Sequence, residues 1–331
     1  MSTSRHKRVT DQFWGAPPGS CWFSSHDFYR MGFAWVKTIT NANRDRTRRP
    51  RWILQVILCL VAFAANSIFC RQALMEGQID PESFTAIRLL SGGLFLLLLI
   101  RLRTPQVAIR GSWKGGLSLF VYAYLFSIAY VQLGAGMGAL ILFGAVQVTM
   151  FIFSWAKGER FQKKVVIGML VASCGLLILL LPSASSPPLG SAVLMTISGV
   201  AWGAYSLLGK SAVNPLAETA GNFARSFPLL LLLAPASLFA GSLNMSFPGV
   251  MYALASGVLA SGCGYALWYS TVKHINSQQA ATLQLSVPIM ASLAGVLILN
   301  EPISLHLLLI SAVVLGGVGL ALSSSAIIPD R

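Results

Sequence analysis

The chain has 331 residues, of which 55% are apolar and 10% charged, with a formal net charge of +14. An average soluble domain carries about 25% charged residues, so a chain this apolar lacks the polar surface that keeps a soluble protein dispersed. Its five cysteines are odd in number and without paired spacing, which excludes a disulfide framework.

The tail through Arg51 holds ten of the 24 Lys and Arg residues and the aromatics Phe13, Trp14, Trp22 and Phe23, with no sustained periodicity. Residues 1–50 are expected to be a cytoplasmic, disordered tail. Ten long apolar segments follow: Trp52–Arg71, Ser83–Leu102, Gly115–Val131, Gly136–Trp155, Val165–Leu181, Gly190–Leu208, Asn222–Ala240, Gly249–Thr271, Ala280–Leu299 and Leu305–Ser323. A bilayer core needs about 20 apolar residues of helix, and a helix satisfies its backbone polar groups internally. The alternation and short strands of a transmembrane β-barrel are absent. The expected fold is an all-α membrane protein with ten transmembrane helices. The first apolar run starts too late for a cleavable secretory signal and is long enough to act as an uncleaved anchor. Cys59, Cys70, Cys174 and Cys263 lie within or at the end of these spans and are read as small apolar residues.

Positive charge falls in alternate gaps. Arg101, Arg103, Arg110 and Lys114 follow the second span, and Lys157, Arg160, Lys163 and Lys164 follow the fourth. Lys210, Lys273 and Arg331 continue the pattern, whereas the opposite gaps (EGQIDPE, GAGMG, SASSPP, SLNMS, NEPIS) contain no Lys or Arg. Positive loops stay inside, so both termini are expected in the cytoplasm. The +14 is read as a topological signal, and no nucleic-acid partner is expected.

An internal repeat organises the spans. VAFAANSIFCRQAL (Val61–Leu74) aligns with VAWGAYSLLGKSAV (Val200–Val213), Arg88 in FTAIRLL aligns with Arg225 in NFARSF, and Glu159 aligns with Glu301, all near an offset of 140 residues. Five spans per half is an odd number, so the second half, 188–325, enters the membrane opposite to the first, 51–182. Such inverted repeats place a site at the midplane that opens alternately to the two sides.

These halves each have a polar first helix, an Arg early in the second, and a closing G-E-R or N-E-P turn before the last. In that they resemble the EamA-type drug/metabolite transporter superfamily over about Arg51 to Ser325. The resemblance implies ten helices, cytoplasmic termini and a central cavity built from both halves. It also implies inner-membrane permeases that export amino acids and other small metabolites, with organellar relatives that exchange nucleotide sugars or sugar phosphates. The first half departs from the common form, having Gln147 in FGAVQVTM where the second half keeps Pro288 in LSVPIMA.

All ten carboxylates fall in the tail, the loops or helix ends. Proton-coupled pumps usually place an ionisable group within the membrane at considerable cost, so facilitated diffusion or exchange is expected. A cavity close to neutral suits a zwitterionic or neutral solute, whereas a phosphate carrier would aim several Lys or Arg at its substrate. An integral membrane enzyme is the weaker alternative, because no reactive polar cluster is visible; no catalytic residue is assigned.

Candidate cavity residues are the polar and aromatic side chains inside spans: Asn66 and Ser67, their repeat mates Tyr205 and Ser206, Trp202 one turn earlier, Gln147 and Thr149, and Gln284 and Ser286. Each has a competing structural reading as interhelical glue or interface anchor. Asn66 and Gln147 lean toward solute binding, because a buried amide is costly without a partner. Arg88 and Arg225 are expected to snorkel to headgroups. Glu159 and Glu301 are expected to favour the positive end of the helix that follows. Nothing in the spacing of Gly209–Ser211 makes a phosphate loop, and His6, His26, His274 and His306 are scattered, so neither cofactor nor metal is expected. The expected partners are a small solute and the lipid bilayer, and no oligomer is required.

Overall fold

The computed structural model describes residues 49–75, 77–158, 163–180, 188–233 and 244–299, and residues 309–320 in part. Residues 1–48, Glu159, Glu301 and much of the expected tenth span, Leu305–Ser323, lie outside the described residues. The described chain is helical apart from its turns and one isolated antiparallel bridge, Ile79 to Met245. The helices are α1 (Arg49–Met75), α2 (Pro81–Arg103), α3 (Trp113–Gln132), α4 (Ala135–Ala156), α5 (Lys163–Leu180), α6 (Leu189–Gly209), α7 (Pro215–Ser226), α8 (Phe247–Val272), α9 (Ser277–Gln284) and α10 (Val287–Leu299). Among the described residues, six are long and apolar enough to cross a membrane: α1 from Trp52, α2, α3, α4, α6 and α8.

Sequence chemistry sets the helix starts. Asp80, Ser112, Asn214 and Ser246 cap α2, α3, α7 and α8, each accepting a hydrogen bond from the backbone N–H three residues on. α9 begins with a full capping box between Asn276 and Gln279.

Two expected spans have different bounds. The seventh starts at Pro215 rather than Asn222, because Asn214 supplies the cap, and its α-helix stops at Ser226. Pro228 then opens a 3-10 turn over Pro228–Leu233, since proline has no N–H for the carbonyl four residues back and its ring crowds that carbonyl. The ninth is split between α9 and α10 at Leu285 and Ser286, two residues before Pro288. The cause is the same.

One stripe of α2, Leu90, Leu94 and Leu98, is exposed, as are Val148, Ile152 and Trp155 of α4. Such faces would be aggregation-prone in water and suit lipid contact. The inner faces interlock between the sequence halves. α6 packs on α3 and α4, while α1 packs on α8 and α10. α2 lies against α7 and the middle of α8. Small residues permit these approaches: a Cβ on Gly199 would stand 2.5 Å from the Leu142 carbonyl oxygen, and one on Gly92 2.5 Å from that of Gly257.

The middle of α8, Ser256–Cys263, winds as a π-helix. This geometry is rare and concentrates at functional positions. Here it turns Ser256 toward α1 and Ser261 toward α2.

Candidate solute-binding site

A polar and aromatic cluster fills the space where α1, α2, α3, α6 and α8 meet. Arg88 lies about 10 Å along α2 from Pro81, counting 1.5 Å of rise per residue. It shares a face with Phe84 and Gly92, which look at the other helices, and its side chain is 0% exposed. The expectation that Arg88 snorkels to the headgroups therefore fails, because its helical face points inward. Its Nε donates to Ser261 Oγ (2.9 Å) and its Nη2 to the hydroxyls of Tyr122 (3.1 Å) and Tyr265 (2.5 Å). Its guanidinium carbon stands 5.2 Å from the ring centres of both Tyr122 and Phe126, a favourable cation–π placement. Nη1 has no hydrogen-bond partner among the described residues.

Asn66 joins the cluster from α1. Its Nδ2 donates to the Tyr122 hydroxyl (3.1 Å) and its Oδ1 accepts from Ser256 (2.6 Å). Aromatic rings close the volume. Trp202 lies 5.2 Å from Phe63, 4.9 Å from Tyr122 and 4.6 Å from Tyr265, centre to centre. Tyr205 stacks on Trp202 at 5.5 Å, and its hydroxyl is buried with no hydrogen-bond partner among the described residues.

The other sequence candidates divide. Gln284 accepts a 2.6 Å hydrogen bond from Trp202 Nε1 and donates to the Ala280 carbonyl, so it braces the tryptophan from α9. Ser206 accepts from Trp268 Nε1 at 3.0 Å. Ser67 and Ser286 are buried, the latter in the α9–α10 break. Gln147 is not with the cluster: it accepts from Ser173 of α5 at 2.9 Å. Thr149 donates to the Ala145 carbonyl of its own helix and lies against Gly203 of α6. Arg225 is half-buried and donates to the carbonyls of Arg110 and Gly221, well placed to tie a loop to α7.

Sequence reasoning missed Tyr122, Tyr265, Ser256 and Ser261, and it misjudged Arg88. The repeat carried a signal for the tyrosines. Tyr122 and Tyr265 are 143 positions apart, near the offset of the aligned segments, and their hydroxyls are 3.1 Å apart.

The cluster is covered on both sides. On one, the turn between α1 and α2 pairs with the segment before α8: Asp80 N–H donates to the Asn244 carbonyl, and Ser246 N–H to that of Gln78. On the other, the α2–α3 loop is fastened to α7. Arg110 N–H donates to the Ala217 carbonyl, and Ser112 N–H to Asn222 Oδ1. Outside this second closure lies a cleft of about 460 Å³ lined by residues including Ser211, Glu218, Asn222 and Tyr269. Tyr269 forms its floor, accepting from Asn222 Nδ2 (3.2 Å) and donating to the Tyr205 carbonyl (3.0 Å).

Residues 50–181 and 189–323 each match the EamA-like transporter family. The chain is 51% identical over 276 residues to an uncharacterized protein of Pseudomonas aeruginosa, covering 82% of this chain and 95% of that one. It is 26% identical over 265 residues to an uncharacterized transporter of Bacillus subtilis, covering 76% and 88%. A probable amino-acid metabolite efflux pump of Salmonella typhimurium is 21% identical over 196 residues, or 55% and 66% of the two chains. One solved crystal structure superposes over 84% of this chain and 99% of its own, with a TM-score of 0.69 at 18% identity, which establishes a shared fold. Two family matches that together span nearly the whole helical region, and a relative identical at half of its positions, make this multi-pass membrane protein a member of the EamA-like transporter family.

Proposed function

We propose that the chain moves an amino-acid-like metabolite across the bacterial inner membrane by alternating access, in a ten-helix inverted repeat with both termini in the cytoplasm. The observation that carries this reading is the closed, polar cluster between the halves. Its repeat mates meet there: Phe63 touches Trp202, and Tyr122 bonds to Tyr265. Residues equated by a two-fold axis touch only close to that axis, which is where an alternating-access site belongs. The packing of α6 on α3 and α4 mirrors that of α1 on α8 and α10. The name of the Salmonella relative favours amino-acid metabolites and outward movement.

Among the described residues the carboxylates are Asp80, Glu82 and Glu218, and none joins the cluster. Asp80 caps α2, Glu82 accepts from Tyr124, and Glu218 accepts from the Val213 N–H. Movement down the solute's own gradient follows. Purified protein in proteoliposomes should take up radiolabelled solutes from a panel of amino acids, nucleosides and amines, and should continue after a protonophore collapses the proton gradient. Absence of flux for every member, or flux only under a proton gradient, would refute the respective part of the reading.

Orientation has its own test. A cysteine replacing exposed Asn244 should react with an impermeant maleimide added to spheroplasts, and one replacing exposed Ser112 should react only in inverted vesicles. The opposite accessibility would reverse the assigned topology.

The two amides selected from sequence should now behave differently. Asn66→Ala strips Tyr122 and Ser256 of a shared partner at the cluster and should lower transport about tenfold. Gln147→Leu removes only an interhelical hydrogen bond of about 0.6–1.7 kcal/mol and should change transport less than about threefold. Equal effects at matched membrane abundance would place Gln147 in the solute path.

A further inference from the structure

Resting on the transport reading, we propose that Arg88 is the anchor for a carboxylate, and that the cluster takes monocarboxylates with an apolar or aromatic body. The argument begins with charge. Arg88 is fully buried in a membrane-spanning helix, and the side-chain groups it bonds to are hydroxyls. An ionisable residue buried on the inward face of a spanning helix is costly and marks a function with a partner to be named. The three described carboxylates are engaged elsewhere. The cation–π faces of Tyr122 and Phe126 soften the burial without neutralising the charge.

Hydrogen-bond accounting points the same way. Arg88 Nη2, Asn66 Nδ2 and the Tyr265 hydroxyl all lie within 3.1 Å of the Tyr122 oxygen. A phenol offers two lone pairs and must also place its own proton. Arg88 Nη1 meanwhile has no acceptor among the described residues. The cluster holds more donors than acceptors, and the Asn66 carbonyl oxygen is already used by Ser256. A carboxylate brings about four acceptor positions and one negative charge, and guanidinium–carboxylate pairing is bidentate and strong. It would satisfy Nη1 and relieve the crowding at Tyr122.

The surroundings define the rest of the ligand. The rings of Phe63, Trp202, Tyr205 and Tyr265 pack on one another in this closed state, and parting of the halves would present their faces to a planar or branched apolar body. No carboxylate joins the cluster among the described residues, so the solute's carboxylate is read and an α-amino group is not required. The repeat mate Arg225 lies on α7 and points away from the cluster to the Arg110 carbonyl of the α2–α3 loop, which leaves one cationic anchor and selects one anionic group.

Binding to the purified full-length protein in detergent, followed by thermal stability and tryptophan fluorescence, tests this separately from transport. The probes are L-phenylalanine, 3-phenylpropanoate, 3-phenylpropanamide and 2-phenylethylamine. The first two should bind with comparable affinity, and the amide and amine at least about tenfold more weakly. Arg88→Gln should weaken carboxylate binding at least about tenfold, the scale of losing a buried charged partner, and Arg88→Lys should lie between. Should Arg88→Gln fail to fold, the comparison of acid and amide on the native protein still decides. Equal binding of acid and amide, or carboxylate binding undiminished in a folded Arg88→Gln protein, would overturn the proposal and leave Arg88 as a brace. Carboxylate binding without flux in liposomes would keep the proposal and refute transport. Flux of the amine alone, without carboxylate binding, would do the reverse.

Discussion

Gly257→Val is expected to cut the amount of folded protein in the membrane by about tenfold. A Cβ on Gly257 would stand 2.1 Å from Ser91 Oγ, 2.5 Å from the Arg88 carbonyl oxygen and 3.0 Å from its Cα. Two of these are backbone atoms of a packed helix, so a change of rotamer cannot relieve the overlap. Moving α8 outward is equally blocked as a remedy, because its π-helical segment holds Ser261 on Arg88 and Ser256 on Asn66. Overpacking of a core costs roughly 1–3 kcal/mol for a few added methylenes, and here it falls on backbone. Gly144→Val is the control: a Cβ there meets nothing within 4 Å, and abundance should stay within about twofold. Quantitative immunoblots of washed membranes, with size-exclusion profiles in mild detergent, read both variants. Equal abundance of the two would mean that α2 and α8 are not in the contact described.

The sequence made the helical class legible because lipid leaves few alternatives to a helix for long apolar segments. Helix starts were less legible where a cap lay outside the apolar run. Asn214 and Pro215 begin α7 seven residues before the run that suggested the seventh span, and hydropathy gives no weight to a capping amide. The breaks after Ser226 and Gln284 were written in Pro228 and Pro288, yet an apolar run reads through a proline without interruption.

The candidate site was legible where it depended on polarity within a span, as for Asn66 and Trp202, and failed where it depended on direction. Arg88 was assigned to the headgroups from its distance to the helix end. Its depth permits that; its face does not, since it lies in line with Phe84 and Gly92 and away from Leu90 and Leu94. Gln147 carries the same chemistry as Asn66 but is engaged by Ser173 of α5. Which neighbour a helix face meets is set by packing between the halves. The one route to it from sequence was the repeat offset shared by Tyr122 and Tyr265.

Gly221→Ala is expected to disable the closure between the α2–α3 loop and α7, inside the 460 Å³ cleft, and to slow transport at least about tenfold while leaving membrane abundance within about twofold. An added Cβ would fall 1.2 Å from the Arg110 carbonyl oxygen and 2.4 Å from its carbon, so the α2–α3 loop has to leave α7. With it go the hydrogen bonds from Arg110 N–H to Ala217, from Ser112 N–H to Asn222 and from Arg225 to Arg110. Gly111, next in the loop, sits at φ +119 with its own Cβ position 2.6 Å from the Gly221 carbonyl carbon, so the loop has no second way to settle there. Abundance should survive because the overlap is relieved by the α2–α3 loop lifting away, with the helices left in place and the cluster around Arg88 keeping its partners. The direct readout is accessibility. Thr219 is fully buried behind this closure. In a background with Cys21 and Cys174 changed to serine, a Thr219→Cys thiol should react slowly with a maleimide added from the α2–α3 loop side, and several-fold faster when Gly221→Ala is added. A rate unchanged by the alanine, with transport intact, would mean that the loop and α7 already stand apart in the membrane and that the closure lies elsewhere.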